Sequence, residues 1–351
     1  MANTTFATND PLTRKVWSTD TFKEAIGMTY FGKFMGTGGS NMIQVKTDLQ
    51  KGKGDRIRIP LRGLLTGTGT TGDSTLEGNE EALTYYYDDV SVDQVRHAVR
   101  SEGRMSEQRG VPEFRSNAKE ALADWNTEMM DKAMINQLTG NTAAAAPYTG
   151  MNTVSAPTRF IYVDGKTTEA GIASTGASTQ FSLEHLDYAI QEAKVKTSGN
   201  YRVRPIKVNG QEMYVGFVHP YQVRQLRTGA GSARWTEIQD ALLSGGKIVD
   251  NPIFTGAIGI YNNVILHETD YVPAAVSYSN VLRAVICGAQ SAAITFGQET
   301  EGRSYDWVEE SFDYGNQNGI ATHIVMGIKK MVFNSQDYGA IVLPSQSTAT
   351  I

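Results

Sequence analysis

Apolar and polar positions change their spacing along the chain, and each change marks a new kind of element. Met1 to Ser18 show no apolar periodicity and read as a polar arm. Thr21 and Glu24 have capping-box spacing, and Phe22, Ala25, Ile26, Tyr30 and Phe34 fall on one helical face, so a short helix is expected next. From Gly54 to Leu61 the period drops to two. Arg56 and Arg58 alternate with Ile57 and Ile59, and Pro60, which has no amide donor, puts this strand at an edge or an end. Leu65 to Gly78 is a Gly/Thr/Ser loop. Ala82 to Val99 is extended again, but Val90 and Val92 keep one phase and Val95 and Val99 the other, which predicts a bend or bulge.

The helical period returns with Phe114, Ala118, Leu122, Trp125, Met129 and Ala133 on one face. Pro112 suits the first turn, Glu128 and Lys132 are an i,i+4 pair, and Gly140 supplies a stop. A helix over Glu113 to Leu138 is about 40 Å long, a structural spine. Met129, Met130 and Met134 read as its core filler. Thr139 to Gln180 reads as loop with one short strand, Phe160 to Val163. Ser182 is a good N-cap, with Phe181 and Leu186 placed as a hydrophobic staple. Leu183, Leu186, Ile190 and Ala193 form the buried face of that helix. Strands are expected at Met213 to His219, Val264 to Leu266, around Ile324, Met326 and Ile328, and at Ala340 to Leu343. No repeat of 20–50 residues is present.

Charge sharpens the first half. The two extended arms form a long ribbon whose ascending arm is basic (Lys51, Lys53, Arg56, Arg58, Arg62). Its tip and descending arm are acidic (Glu77, Glu80, Glu81, Asp88, Asp89). A two-stranded ribbon is marginal alone. This one carries no evident core of its own and no covering helix adjoins it in sequence, so a partner chain is expected to cover it.

Composition bounds the rest. With 351 residues, 40% hydrophobic and 20% charged, the chain is long enough for one large or two medium globular domains. A net charge of -5 disfavours a protein that coats nucleic acid. Cys287 is alone, which excludes an intrachain disulfide and a cysteine zinc site. Met1 to Val16 carry no apolar run, so no secretory signal is predicted. Ala284 to Gly297 is too short and too polar to span a bilayer. The expected place of assembly is therefore a cytoplasm.

No motif carries coherent chemistry. Gly67, Gly69 and Gly72 have dinucleotide-binding spacing, but no amphipathic helix follows them to meet a pyrophosphate. Gly27 to Lys33 nearly matches a phosphate-binding loop. Phe34 stands where a magnesium-binding Ser or Thr is needed, and the segment lies inside a predicted helix. His97, His185, His219, His267 and His323 are scattered, and His267, Glu268 and Asp270 read as a solvated strand end. Glu299, Glu301, Asp306, Glu309, Glu310 and Asp313 lack calcium-loop spacing and read as a solvated or inter-subunit face. No catalytic residue, cofactor site or metal site is expected.

The order of elements (polar arm, glycine-tipped ribbon, spine helix, α/β region) resembles the Hong Kong-type phage capsid fold. Asn251-Pro252-Ile253-Phe254-Thr255-Gly256-Ala257-Ile258-Gly259 and Tyr261-Asn262-Asn263-Val264 are similar to a hallmark stretch of the N-four-type phage major capsid family. Phe217-Val218-His219-Pro220 with Leu226 and Trp235 fits the same pattern. So do Gly288-Ala289-Gln290, Asp313-Tyr314-Gly315-Asn316-Gln317, Gly327-Ile328-Lys329-Lys330, Asp93-Gln94 and Leu122 to Trp125. Asn263 stands where Gly is expected, and Asn tolerates the left-handed backbone of a turn.

The resemblance implies an α+β fold with N-arm and short helix (1–45), extended β-ribbon or E-loop (46–105), and spine helix with peripheral domain (106–181). An insertion falls at 139–180, a mainly axial domain at 182–273, and 274–351 are C-terminal strands returning to the peripheral domain. It implies a major capsid protein that self-assembles as pentamers and hexamers into an icosahedral virion shell. Expected partners are further copies of the chain, a scaffolding protein, the portal, a decoration protein and packaged double-stranded DNA held without sequence-specific binding, with no membrane. The alternative is a subunit of a cellular cargo nanocompartment of the same fold. Arg56, Arg58, Arg62, Glu77, Glu80 and Glu81 are the expected inter-subunit contacts.

Overall fold

The period-two segments assemble into two mixed sheets that share one core. A computed structural model describes residues 29–50, 54–63, 65, 67–109, 114–145, 148–174, 179–195, 202–208, 210–228, 253, 256–298 and 304–347. The chain lays down β1 (Met35–Gly36), β2 (Ile43–Lys46), β3 (Arg56–Arg62), β4 (Tyr85–Ser91) and β5 (Asp93–Arg100), then helices α1 (Arg104–Arg109) and α2 (Phe114–Thr139). After α3 (Glu169–Ser174) and α4 (Leu183–Lys194) come β6 (Ile206–Val208), β7 (Gln211–Val218) and helix α5 (Pro220–Thr228). Next are β8 (Ala257–Tyr261), β9 (Val264–Glu268), β10 (Ala274–Ala275), β11 (Tyr278–Cys287) and β12 (Ala292–Phe296). The last are β13 (Tyr305–Phe312), β14 (Gln317–Lys330), β15 (Val332–Phe333), β16 (Gln336–Asp337) and β17 (Ala340–Gln346).

The first sheet is built on β14, which takes β12 and β13 one after the other along one edge and β5 along the other, with β2 and β1 beyond β12. Ile320, Ile324, Met326 and Ile328 are buried along β14, the alternation the sequence predicts. The second sheet orders β10, β11, β7, β9 and β8, with β17 also on β11 and β6 on β7. Residues 274–346 thus serve both sheets. Pro344 lies in β17, which pairs in the ladder only with β11, an edge position that tolerates a missing amide. The phase change of the valines marks a change of sheet. The chain leaves the ribbon at Val92, and β5 pairs with β14 instead.

Helix α2 runs between the sheets. Its first half follows the predicted face, with Ala118 and Leu122 packed on Trp307 and Ile320. Its last two turns are buried nearly all round, including Asp131, Asn136, Gln137 and Thr139. These polar groups are satisfied. Asn136 donates to the Tyr148 carbonyl at 3.0 Å, Gln137 to the Asn152 carbonyl at 2.9 Å, and Thr139 to the Ile135 carbonyl at 2.7 Å. Gly140 ends the helix at φ 65°, and a Cβ there would sit 2.4 Å from Pro157.

The predicted N-terminal helix lies mostly outside the described residues. Tyr30–Phe34 form a 3-10 turn, so the near-match to a phosphate loop ends in a turn and not in mid-helix. Asp131 of α2 is buried and accepts the amides of Tyr30 at 3.0 Å and Phe31 at 3.3 Å, so a tertiary carboxylate caps the turn. Phe31 and Phe34 pack on Phe217 and His267. Correcting the solvated reading, His267 is fully buried: Nε2 donates to the Ile253 carbonyl at 2.9 Å and Nδ1 lies 3.5 Å from Lys33 Nζ.

Burial sets a pH response here. It pushes His267 down to about 3, helped by Lys33, and His185 down to about 4, while it pushes Asp131 up to about 6. The depressed histidines contribute stability that is full above about 6.5 and falls with acidification, by about 1.4 kcal/mol per pH unit each. Asp131 works in the opposite direction, regaining a similar amount as pH falls through about 6 towards 3.8. Denaturant unfolding between pH 7 and 5 should therefore show acid destabilisation that is steeper in Asp131→Asn. Equal slopes would refute the titration of Asp131.

Residues 148–163 form a strap across both sheets in place of a loop with a strand. Asn152 bonds both backbone groups of Ser91 at 3.0 and 3.1 Å and the Ile328 carbonyl at 3.0 Å. Phe160 makes only a single bridge to Val342, where the Ile161 amide donates to the Val342 carbonyl at 3.0 Å. Further on, Arg283 holds Glu169 of α3 through two bonds at 2.6 and 2.9 Å. At the start of α4 the Ser182 amide donates to His185 Nδ1 at 3.2 Å, so a histidine fills the capping-box position. Phe181 and Leu186 share one cluster, as the staple requires.

Candidate functional site

The ribbon is the part of the chain with an unsatisfied surface. β3 and β4 pair antiparallel from Arg56 opposite Ser91 to Arg62 opposite Tyr85. Opposed residues share a face. One face carries Ile57, Ile59, Leu61, Tyr86 and Val90. It packs on Ala293, Met331, Phe333 and Tyr338, so the ribbon has a small core on its own chain after all. Asp88 sits on this face beside Lys329, with which it is ion-paired. Its Oδ2 accepts the Val332 amide at 2.9 Å. Gly327 lets the ribbon base approach, because a Cβ there would lie 1.9 Å from the Ser91 carbonyl oxygen.

The opposite face is a ladder of Arg56, Arg58, Pro60 and Arg62 against Ser91, Asp89, Tyr87 and Tyr85. Arg58 forks onto Asp89 through two bonds of 2.8 and 2.9 Å, and its guanidinium lies 4.1 Å from the Tyr87 ring centre. These bonds hold the Asp89 carboxyl below its usual range. Arg58 is therefore committed within its own ribbon. Arg56 and Arg62 remain exposed at the two ends of the ladder.

Beyond Arg62 the arms separate into a tip, residues 63–84, tied by the Gly63 amide to the Thr84 carbonyl at 2.7 Å. Glu81 accepts the Gly67 amide at 2.7 Å and Glu80 the Gly78 amide at 2.8 Å, so two of the expected contact residues shape the tip itself. Glu77 is exposed. Gly69, Gly72 and Gly78 have φ of 75°, 66° and 89°, in a loop with no helix after it, as the sequence predicts. The tip carries Asp73, Glu77, Glu80 and Glu81 and no Lys or Arg.

Its apolar side chains were not singled out from sequence. Leu65, Leu76, Leu83, Tyr85 and Tyr87 are 53–63% exposed, five of the eleven exposed large hydrophobics among the described residues. Lone leucines in a Gly/Thr loop were the available signal. Such a concentration on a projecting element marks an interaction surface.

The other candidates hold no site. Glu299 and Glu301 of the acidic run lie outside the described residues, and Glu309 pairs with Arg115 at 2.9 Å and accepts Trp307 Nε1 at 2.8 Å. Burial pushes the Cys287 thiol up to about 12. Among the described residues no group of three or more His, Cys, Asp or Glu could hold a metal. No described helix is long and apolar enough to cross a membrane.

The turns that carry the family resemblance have physical roles. Asn262 and Asn263 take φ of 43° and 65°, so Asn263 occupies the left-handed position expected of Gly. A Cβ on Gly288 would lie 2.3 Å from the Arg204 carbonyl oxygen. Comparison with known proteins agrees. Residues 5–350 match the family described as phage capsid protein. The chain is 28% identical to the major capsid protein of Pseudomonas phage KPP25, over 93% of each chain. It is similar to a chain of the Ralstonia phage GP4 capsid, with 31% identity, all of both chains covered and a TM-score of 0.79. A cyanophage Pam1 capsid chain shares the fold at 21% identity, all of both chains covered and TM-score 0.73. With the family matched over residues 5–350 and its relatives covered along nearly their whole length, the chain belongs to the phage capsid protein family.

Proposed function

We propose that this chain is the major shell subunit, which self-assembles into an icosahedral capsid enclosing double-stranded DNA. The observation that carries this reading is the ribbon, rooted on its own chain yet exposing three leucines and two tyrosines. Covering them with a neighbouring copy removes apolar area that the chain cannot bury by itself. On this reading the first sheet and α2 correspond to the peripheral domain, and α4, α5 and most of the second sheet to the axial domain. Pentamers and hexamers, a scaffolding protein, the portal and a decoration protein are the partners. The net negative chain suits DNA held without sequence-specific binding, because a strongly basic wall would bind it tightly. Assembly is assigned to the host cytoplasm, and no catalytic role is assigned.

Arg56, Arg62 and Glu77 are the charges left exposed for a neighbour, whereas Arg58, Glu80 and Glu81 hold the ribbon's own shape. Each exposed pair is worth about 0–1 kcal/mol, but a closed shell repeats it in every copy. Arg56→Glu with Arg62→Glu should raise the concentration needed for assembly about tenfold at physiological salt, with less effect at high salt. Light scattering and negative-stain microscopy read this directly, and normal assembly by the double variant would remove these residues from the interface.

A further inference from the structure

The hairpin between β13 and β14 carries the most exposed large hydrophobic side chain among the described residues. Tyr314 has a relative exposure of 110%. Its backbone is left-handed, φ 51° and ψ 33°, between Asp313 at φ 51° and Gly315 at φ 84°. A bulky residue rarely adopts this conformation, and it persists only where surrounding bonds impose it. Here they do. Asn316 Nδ2 donates to Asp313 Oδ2 at 3.2 Å, Arg104 Nε donates to the Gly315 carbonyl at 3.1 Å, and Asn316 Oδ1 accepts the Arg104 amide at 3.4 Å. The tip is braced so that an aromatic ring stands away from its own chain.

Directly beside it lies a cavity of about 440 Å³ between α1, the start of α2 and the same hairpin. Arg104, Glu107, Phe114, Arg115, Gly315 and Ile320 line it. Its lining holds an unmet demand, since Glu107 Oε1 is buried with no hydrogen-bond partner among the described residues. A buried carboxylate oxygen without a donor is costly, and it calls for one. A phenol matches the site, with a ring for Phe114 and the guanidinium groups and a hydroxyl donor for Glu107.

We propose that Tyr314 of one copy enters this cavity in an adjacent copy and donates its hydroxyl to Glu107. Gly315 belongs to both the tip and the cavity wall, so plug and socket are side by side on every subunit. Copies related by rotation about an axis near the hairpin tip then each give one tyrosine and receive one, and the set closes without leftover sockets. This rests on the shell-subunit reading above, and it names a contact remote in sequence from the ribbon.

The test places photoreactive benzoylphenylalanine at position 314 and assembles a mixture of isotope-labelled and unlabelled full-length copies. Irradiation should join position 314 of one copy to residues 104–109 or 114–115 of another. Cross-links within one copy, or to a different region of the second copy, overturn the plug while leaving the shell reading intact. Failure of wild-type copies to assemble even when co-expressed with the scaffolding protein overturns the shell reading itself. In parallel, Tyr314→Ala should raise the assembly threshold about tenfold and Tyr314→Phe by less, as expected for a buried aromatic anchor with one polar contact. Glu107→Ala should match Tyr314→Phe, with no further loss when the two are combined. The unassembled Tyr314→Ala chain should unfold at the wild-type midpoint, and a lowered midpoint would assign Tyr314 to the subunit's own fold instead.

Discussion

Replacing Lys330 by methionine should destabilise the unassembled chain by about 3–5 kcal/mol. Lys330 and Asp337 face each other at 2.8 Å, and both side chains are only 1% exposed. Removing the cation takes the direct partner from a buried carboxylate and leaves it the weaker through-space attraction of Arg159. The Thr158 amide, which donates to Asp337 Oδ2 at 2.8 Å, cannot replace the cation. Burial depresses the Lys330 pKa, which records how strongly this environment resists charge, and Asp337 opposes that shift. Lys330→Met with Asp337→Leu should recover part of the loss, because the pair is costly mainly when broken. Chemical denaturation of the three variants measures the coupling. A Lys330→Met chain within 1 kcal/mol of wild type would show that the pair contributes little.

Lys330 is also the end of β14, and Asp337 lies in β16, one residue before Tyr338 of the cluster beneath the ribbon. Thr158 and Ser155 of the strap contact the same pair. The loss should therefore loosen the ribbon root together with the strap, visible as faster amide exchange in residues 56–62 and 85–91.

Replacing residues 64–83 with a two-residue Asn-Gly turn should abolish shell formation while leaving the subunit folded. The described residues of the tip bury almost nothing on their own chain, and the Gly63 to Thr84 bond already marks where a short turn can close the strands. The unassembled chain should keep its stability within about 1 kcal/mol, since shortening a loop changes closure entropy only slowly. Assembly loses the exposed Leu65, Leu76 and Leu83 from every copy, whose full burial is worth on the order of 5 kcal/mol in gross transfer energy. Sedimentation should find only small species at concentrations where wild type forms shells. Shells of normal size from the shortened chain would end the claim that the tip joins subunits.

Sequence carried local information well and distant information poorly. The first half of α2 was legible because one apolar face and a stop at Gly140 suffice to specify it. Its second half was not, since Asp131, Asn136 and Gln137 look like surface residues until two sheets close round them. The valine phase change was legible as a break, but its meaning, a switch from β3 to β14 as partner, depends on strands more than 200 positions away. The ribbon looked coreless for the same reason, because Met331, Phe333 and Tyr338 lie far along the chain. At the candidate site, charge alternation drew attention to Arg56, Arg58 and Arg62. It could not tell that Arg58 is claimed by Asp89, nor that a histidine read as solvated sits at the centre of an aromatic cluster.

That separation between ribbon and root sets an order of events during synthesis. Asp88 and Lys329 lie 241 residues apart. At about 5–20 residues per second, the platform under the ribbon emerges roughly 10–50 s after the ribbon itself. Until then the leucines of the tip stand on an unanchored strand pair and cannot be offered in a fixed direction. If the tip joins subunits as proposed, the position of its anchors keeps a nascent chain from docking onto finished subunits, and competence to assemble arrives with β14 to β16.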